Sequence, residues 1–527
     1  MIHALPATLV RLVRHRHFPI LLLLLLALIP GILTFRDYGL TWDEPLFYGY
    51  ADAIGYAYSI PARLSGDFQL ERAFGPSPGD HANRGPAYIL LARFGVYALE
   101  AVTGLPRFDL WRLVNYITFL IGAYFLYRLS LRWVSPSAAL AATLLWITQP
   151  MLWGHAFINP KDPPFTTFFL AAVYLGFRMV DTLETAPRRL RTTLRTVFLP
   201  AVVLGLATAI RIVAPLAGLL VAVYALIKLR WRALRYLVPY ALIAMLTTYA
   251  AWPYLWDDPV GKFLGVLQFM AANPTRLPVL FLGHIYRAYE LPRRYLPLLM
   301  VLTLTEPVWP LAALGVLHAA WRLWKRRIEW PTLLLVAAWF LIPVGYILVK
   351  RPPMYDGIRH SFYLLPPLFV AVALGAHAIL SWLRPRWLPL LLLLALALPA
   401  LPAMTELHPY EYTYYNSFIG GTGGAFRHFE TDYWLTCYKE TMQLVNTRLA
   451  ATGPTLFVQR EAYIAAYYAD PRVRVVDLQS EEKPGPGDYL LLSTRANGDR
   501  GYRDAPIVLR VGRQSADFCI VKRIPRK

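Results

Sequence analysis

Two carboxylates, Asp43 and Glu44, stand side by side in YGLTWDEPLFYGYA (residues 38–51), a stretch otherwise rich in aromatic rings. They follow an uncharged run, FPILLLLLLALIPGILTF (18–35). An acid pair in that position is either a solvated loop capping a membrane span or a catalytic base held at the membrane surface, where it takes a proton from an attacking hydroxyl. Other stretches bring complementary groups. NPKDPPF offers Asn159, Lys161 and Asp162, YDGIRHSF offers Tyr355, Arg359 and His360, HANRGP offers His81 and Arg84, and Arg211 interrupts a long apolar run. A guanidinium matches phosphate through two parallel hydrogen bonds, so Arg359 with His360 suits a phosphate clamp. The plainer reading is that Asp356, three residues earlier, neutralises Arg359. Asp162 precedes two prolines where a span begins, a place that also favours a helix cap. Lys161 beside it either meets phosphate or snorkels.

These residues need a scaffold, and composition indicates which kind. Hydrophobic residues make up 57% of the 527 and charged ones 16%, well under the roughly 25% charged of soluble domains. The net charge of +21 would suit nucleic acid if it coated one soluble face. Instead the bases fall in short clusters between apolar runs, among them RLVRHRH, RRLRTTLR, KLRWRALR and WRLWKRR. That is the pattern of cytoplasmic loops, and it argues against a nucleic-acid partner. Apolar runs of bilayer length lie near 18–35, 111–128, 136–153, 163–180, 235–253, 295–320, 331–349, 361–382 and 387–403. The run 197–228, broken by Arg211, reads as two short spans, because basic clusters flank it on both sides. Residues 86–103, which carry Arg93 and Glu100, read as an amphipathic helix lying at the interface. Eleven spans result, with the amino terminus inside a cytoplasmic membrane and the carboxyl terminus outside. The acids and cations above then gather on the outer face, where cations run against the positive-inside trend and an anionic partner would explain them.

From residue 405 the texture changes. Residues 1–404 form the membrane module, with a first outer loop over 36–110. Residues 405–527 alternate like a small soluble α/β unit: CYKETMQLVNTRLAAT has helical spacing, while TLFVQR, VRVVDL, DYLLLST and FCIVKR read as strands. The only cysteines, Cys437 and Cys519, fall here. Outside the cytoplasm a disulfide is permitted, and two buried thiols are the alternative. No cluster has the spacing of metal ligands, and IGGTGGAF lacks the strand and helix context of a nucleotide fingerprint.

A basic amino terminus, a first span, a DE pair in a large outer loop, an interfacial helix and then an NPKD loop together resemble the GT-C glycosyltransferases. The resemblance is closest to the branch holding the protein mannosyltransferases of glycosyltransferase family 39 and the lipid A aminoarabinose transferase. TWDE, NPKDPPF, YDGIRHSFYLLPP and HPYEYTYYN with FETDYW are similar to a bacterial subgroup, and the likeness covers most of the chain. It implies a polytopic α-helical GT-C fold of about eleven spans with the α/β unit outside. It also implies an inverting transfer of a sugar from a polyprenyl-phosphate donor to a hydroxyl of a glycan, lipid or protein acceptor. A lipid phosphate leaves as a stable anion, so one base suffices where glycosidases use two carboxylates. The resemblance makes Asp43 that base, Glu44 its supporting neighbour and Asp162 a second acid that positions the acceptor or ties the loops. Asn159, Lys161, Arg211, Tyr355, Arg359 and His360 are then donor contacts. His81 and Arg84 stand where relatives often show a histidine-proline stretch. No metal or other cofactor is required. Transfer of a preassembled lipid-linked oligosaccharide is the alternative chemistry. A transporter of lipid-linked sugars is the alternative class, but it would place ionisable residues inside spans of repeated halves.

Overall fold

The computed structural model describes residues 17–185, 189–272, 275–382, 391, 395–396 and 398–526. Among these, five helices are long and apolar enough to cross a membrane: Arg107–Ser130, Asp162–Thr185, Leu190–Thr208, Trp330–Lys350 and Arg359–Trp382. A sixth appears if Tyr295–Thr303 and Val308–Trp324, bent by 110° at a short break, count as one span. The first apolar run forms the helix Phe18–Thr34, with Pro19 in its opening turn and leucines 21, 22, 25 and 26 exposed. Aliphatic side chains turned outward on a helix of that length suit lipid.

Prolines divide two of the expected single spans. The run 136–153 is two helices, Pro136–Ile147 and Pro150–Ile158, parted at Gln149–Pro150. The run 295–320 breaks before Pro307, which opens the second helix. In each case the ring cannot continue an α-helix from the preceding turn. The interruption at Arg211 separates Leu190–Thr208 from Pro215–Leu229. Residues 86–103 form the helix Ala87–Thr103, which buries Ala87, Tyr88, Ile89 and Val96 and exposes Leu91, Phe94 and Val102. Eight residues of the expected span 387–403 lie outside the described residues, and the helix Ala400–Leu407 begins within it.

Asp162–Thr185 is the most buried of the five long helices, so its first turn can hold a side chain in a dry setting. Helices Val308–Trp324 and Leu365–Trp382 cross in backbone contact. A Cβ at Gly315 would strike the carbonyl of Ala371, and one at Gly375 that of Leu311. Small residues at such crossings are how membrane helices gain packing without a hydrophobic driving force.

The last segment holds a five-stranded mixed sheet of β3 (Thr455–Val458), β4 (Arg474–Asp477), β5 (Tyr489–Ser493), β6 (Ile507–Arg513) and β7 (Ala516–Arg523), in the order β4-β3-β5-β7-β6. β3 runs parallel to β4 and β5, and β7 is antiparallel to β5 and β6. A disulfide joins Cys437, at the start of the helix Cys437–Arg448, to Cys519 on β7. A hairpin of β1 (Pro278–Phe281) and β2 (His284–Arg287) touches this segment through Phe281 and Phe429. The first outer loop docks on it too. Leu40 belongs to the core of the α/β unit, and Gly39 presses so closely on Thr436 that a Cβ there would overlap the Thr436 carbonyl.

Candidate active site

Asp43 opens the helix Asp43–Ala53, and its carboxylate accepts a 2.8 Å hydrogen bond from the Lys161 ammonium. Burial pushes the Asp43 carboxyl up, but Lys161, with Arg359 and Arg84 beyond it, more than reverses this and holds it below its ordinary range. Burial also pulls Lys161 down, to about 8, and Arg84 and Arg359 oppose the help that Asp43 gives it. The ammonium also lies 4.4 Å from the centre of the Phe47 ring. Glu44 faces the other way and is fully buried. It caps its own helix by accepting from the Thr41 N–H (2.8 Å), and also accepts from Tyr48 (3.2 Å) and from Arg112 (3.3 Å). That reciprocal contact with the helix start is a capping-box arrangement, so Glu44 fixes the direction in which Asp43 points.

Asn159 caps the helix Asp162–Thr185: its Oδ1 accepts from the backbone N–H groups of Lys161 and Asp162, both at 3.0 Å. The cap role weighed for Asp162 thus falls to Asn159. Asp162 itself is buried and holds two arginines. One oxygen takes Arg211; the other takes Arg359 at 3.1 Å and the Asn159 amide at 2.8 Å. Arg359 in turn donates to Asp356 at 2.9 Å, and Asp356 accepts from Trp434 at 3.0 Å and from Arg495 at 2.8 Å. Arg359 is 3% exposed and lies 4.9 Å from the centre of the Trp434 ring. Both terminal nitrogens of its fork are therefore taken by carboxylates of this chain. The geometry matches neutralisation by Asp356, with Asp162 as a second carboxylate, in place of the expected phosphate clamp.

Arg211 of this network also faces open space, together with two further cations. A cavity of about 760 Å³ has Arg84, Lys161 and Arg211 at one end, with Tyr355 and His360 beside them, and an apolar wall that includes Leu216, Leu267, Met270 and Ile347. Arg84 keeps one 2.7 Å bond to Asp80. His81 is absent from the lining: it is fully buried, bonded through Nδ1 to the Phe74 carbonyl at 2.6 Å and stacked on Tyr50. Burial holds its pKa below the usual histidine value. Asp80, Trp434 and Arg495, and His155 between the Asn159 amide and the Tyr433 hydroxyl, join these networks without having stood out in the sequence. FETDYW carried the only signal for one of them, Trp434. Among the described residues, the one cluster that could hold a metal ion is Asp432 with Cys437 and Cys519, and its two sulfurs are spent on the disulfide.

The membrane helices, the acid at the foot of the first outer loop and the sheet unit docked on that loop together make a GT-C fold. No family model matches the chain, and neither does any curated protein. Among solved structures, ArnT from Cupriavidus metallidurans superposes with a TM-score of 0.50 at 14% identity, over 96% of this chain and 97% of that one. Arabinofuranosyltransferase AftD from Mycobacteria gives 0.43 at 13% identity, over 96% of this chain and 40% of that one. Archaeal oligosaccharyltransferase AglB from Archaeoglobus fulgidus gives 0.46 at 13% identity, over 86% and 64%. The likeness to ArnT is one of fold.

Proposed function

We propose that the protein is an inverting glycosyltransferase that moves a sugar from a polyprenyl-phosphate donor to an acceptor hydroxyl at the outer face of the membrane. The carrying observation is a cavity with three cations at one end and an apolar wall along the rest, adjoining a carboxylate that one of those cations holds. Phosphate belongs at the cationic end, and the first isoprene units belong against the wall. Asp43 takes the acceptor proton. The bond from the anomeric carbon to the phosphate oxygen breaks with its electron pair, and the acceptor oxygen bonds to that carbon from the opposite side. Lys161 links the two halves. As charge grows on the departing phosphate, its ammonium turns from Asp43 toward that charge, and the freed carboxylate becomes the stronger base. The donor site recognises the phosphate and its lipid, and the sugar and acceptor are set elsewhere.

The test uses purified protein with labelled polyprenyl-phosphate sugars. Asp43→Asn should lower turnover by roughly the 10²–10⁴-fold of a lost general base while polyprenyl-phosphate binding persists. Full turnover by folded Asp43→Asn protein, or no binding of polyprenyl phosphate to the unaltered protein, overturns the proposal.

A further inference from the structure

A second cavity, of about 480 Å³, lies on the other side of Asp43 and Glu44, where the first outer loop meets the α/β unit. Residues 40–43 run from it to Asp43 along the short helix Ala462–Tyr468. Two hydrogen bonds pin this path: Leu40 N–H to the Tyr468 oxygen at 2.9 Å, and the Tyr463 hydroxyl to the Trp42 carbonyl at 2.8 Å. Tyr463 and Tyr467, four residues apart and so on one helix face, are 42% and 52% exposed. Tyr463 lies at the Asp43 end and Tyr467 lines the cavity. The five helical steps from Tyr463 to Tyr468 span about 7.5 Å, room for more than one pyranose ring.

The cavity lining mixes both signs with ring edges and a few aliphatic groups: Asp37 and Asp109 against Arg36, Arg112 and Lys439, with Phe108 and Tyr467 beside Leu33, Leu40 and Pro106. Phe108 and Tyr467 meet edge to face at 5.5 Å. Arg112 is 2% exposed, gives Nε to Glu44 and Nη1 to Asp109, and also meets the Tyr468 hydroxyl. A free phosphate would meet two carboxylates here, and a lipid tail would meet five charged side chains. Hydroxyl groups, which donate and accept at once, satisfy both signs, and sugar faces suit exposed tyrosine rings.

From this we infer that the acceptor is a glycan, seated along the seam between residues 40–43 and the helix Ala462–Tyr468, with its far sugar in the 480 Å³ cavity. The inference rests on the transferase reading above, and its test separates the two. Full-length purified protein is titrated by saturation-transfer NMR with neutral mannotriose, galactobiose, inorganic phosphate and a serine-containing peptide, and in parallel with polyprenyl phosphate. A neutral oligosaccharide should bind, and Tyr467→Ala should weaken it about tenfold, the scale of one lost ring contact. Tyr467→Phe should retain it, and polyprenyl-phosphate affinity should stay within about twofold throughout. Because Tyr467 is half exposed, its replacement does not threaten folding. Absence of sugar binding, binding of peptide or phosphate in its place, or sugar affinity indifferent to Tyr467→Ala overturns the inference. Loss of polyprenyl-phosphate binding in the unaltered protein would overturn the transferase reading instead.

Discussion

At the scale of single residues, the cations divide into those that hold the protein and those that face a ligand. Arg359 lies between Asp162 and Asp356, both buried. Arg359→Ala strands two buried carboxylates and should cost about 3–5 kcal/mol, read as a fall in melting temperature. Arg84 lines the cavity, so Arg84→Gln should leave melting nearly unchanged and weaken polyprenyl-phosphate binding roughly 10–100-fold, the range for hydrogen bonds to a charged group. Equal effects of the two variants on both measurements would refute that division. Lys161 adds a pH dependence. Its pKa is pulled from 10.5 to about 8, so turnover should decline as pH rises through about 8. A lysine depressed on folding contributes stability that is complete above 10.5 and lost as pH falls through 8, so this group makes the fold no weaker over the range in which activity drops. Melting measured beside turnover separates the two. The local pairing of Asp356 with Arg359 was legible in the sequence, and the long-range pairings were not. Asp356 stands three positions from Arg359, but the other carboxylate on Arg359 is that of Asp162, 197 positions away, and sequence spacing carries no trace of that contact.

At the scale of elements, the first outer loop is tied to the segment that follows the membrane helices. His408 touches Glu411 through Nδ1 at 2.7 Å and Asp37 through Nε2 at 3.0 Å. The other groups about it are Tyr38, whose ring meets the imidazole edge on and whose hydroxyl donates to Glu411, and Arg513, which donates to the His408 carbonyl. Burial lowers the His408 pKa, but the two carboxylates outweigh it and raise the value above 6.5. The tie is therefore complete below about pH 6.5 and is lost as pH rises through the raised value. His408→Gln should lower the melting temperature by about 2 °C at pH 6 and make no difference at pH 9; an equal deficit at both would refute the ionic tie. Element existence was largely readable, since long apolar runs became helices. Continuity was less so. The same apolar letters cover Pro136–Ile147 and Pro150–Ile158, and only the proline between them marks the break.

At the scale of the whole molecule, the chain joins a membrane bundle to a sheet unit, and the site lies where loops of the one meet the other. The order of TWDE, NPKD and YDGIRH made the GT-C architecture legible. The seam was not, because it is built from contacts such as Gly39 on Thr436, between segments far apart in sequence. The disulfide closes a loop of 82 positions, and the chain-entropy account assigns such a loop about 4.5 kcal/mol. Cys437→Ser and Cys519→Ser should each lower stability by a large part of that figure, and the unaltered protein from an oxidising compartment should present no reactive thiol under denaturing labelling. Two free thiols there would contradict both the bond and an outward position for the sheet unit.

Arg211, Asp162, Arg359, Asp356 and Arg495 form one file of alternating sign, from the 760 Å³ cavity to the short helix that follows β5. Each inner member is shared by two neighbours, so losing one leaves like charges facing across a buried gap. A substitution at any one of the five should therefore be tolerated only beside a compensating change in its neighbour.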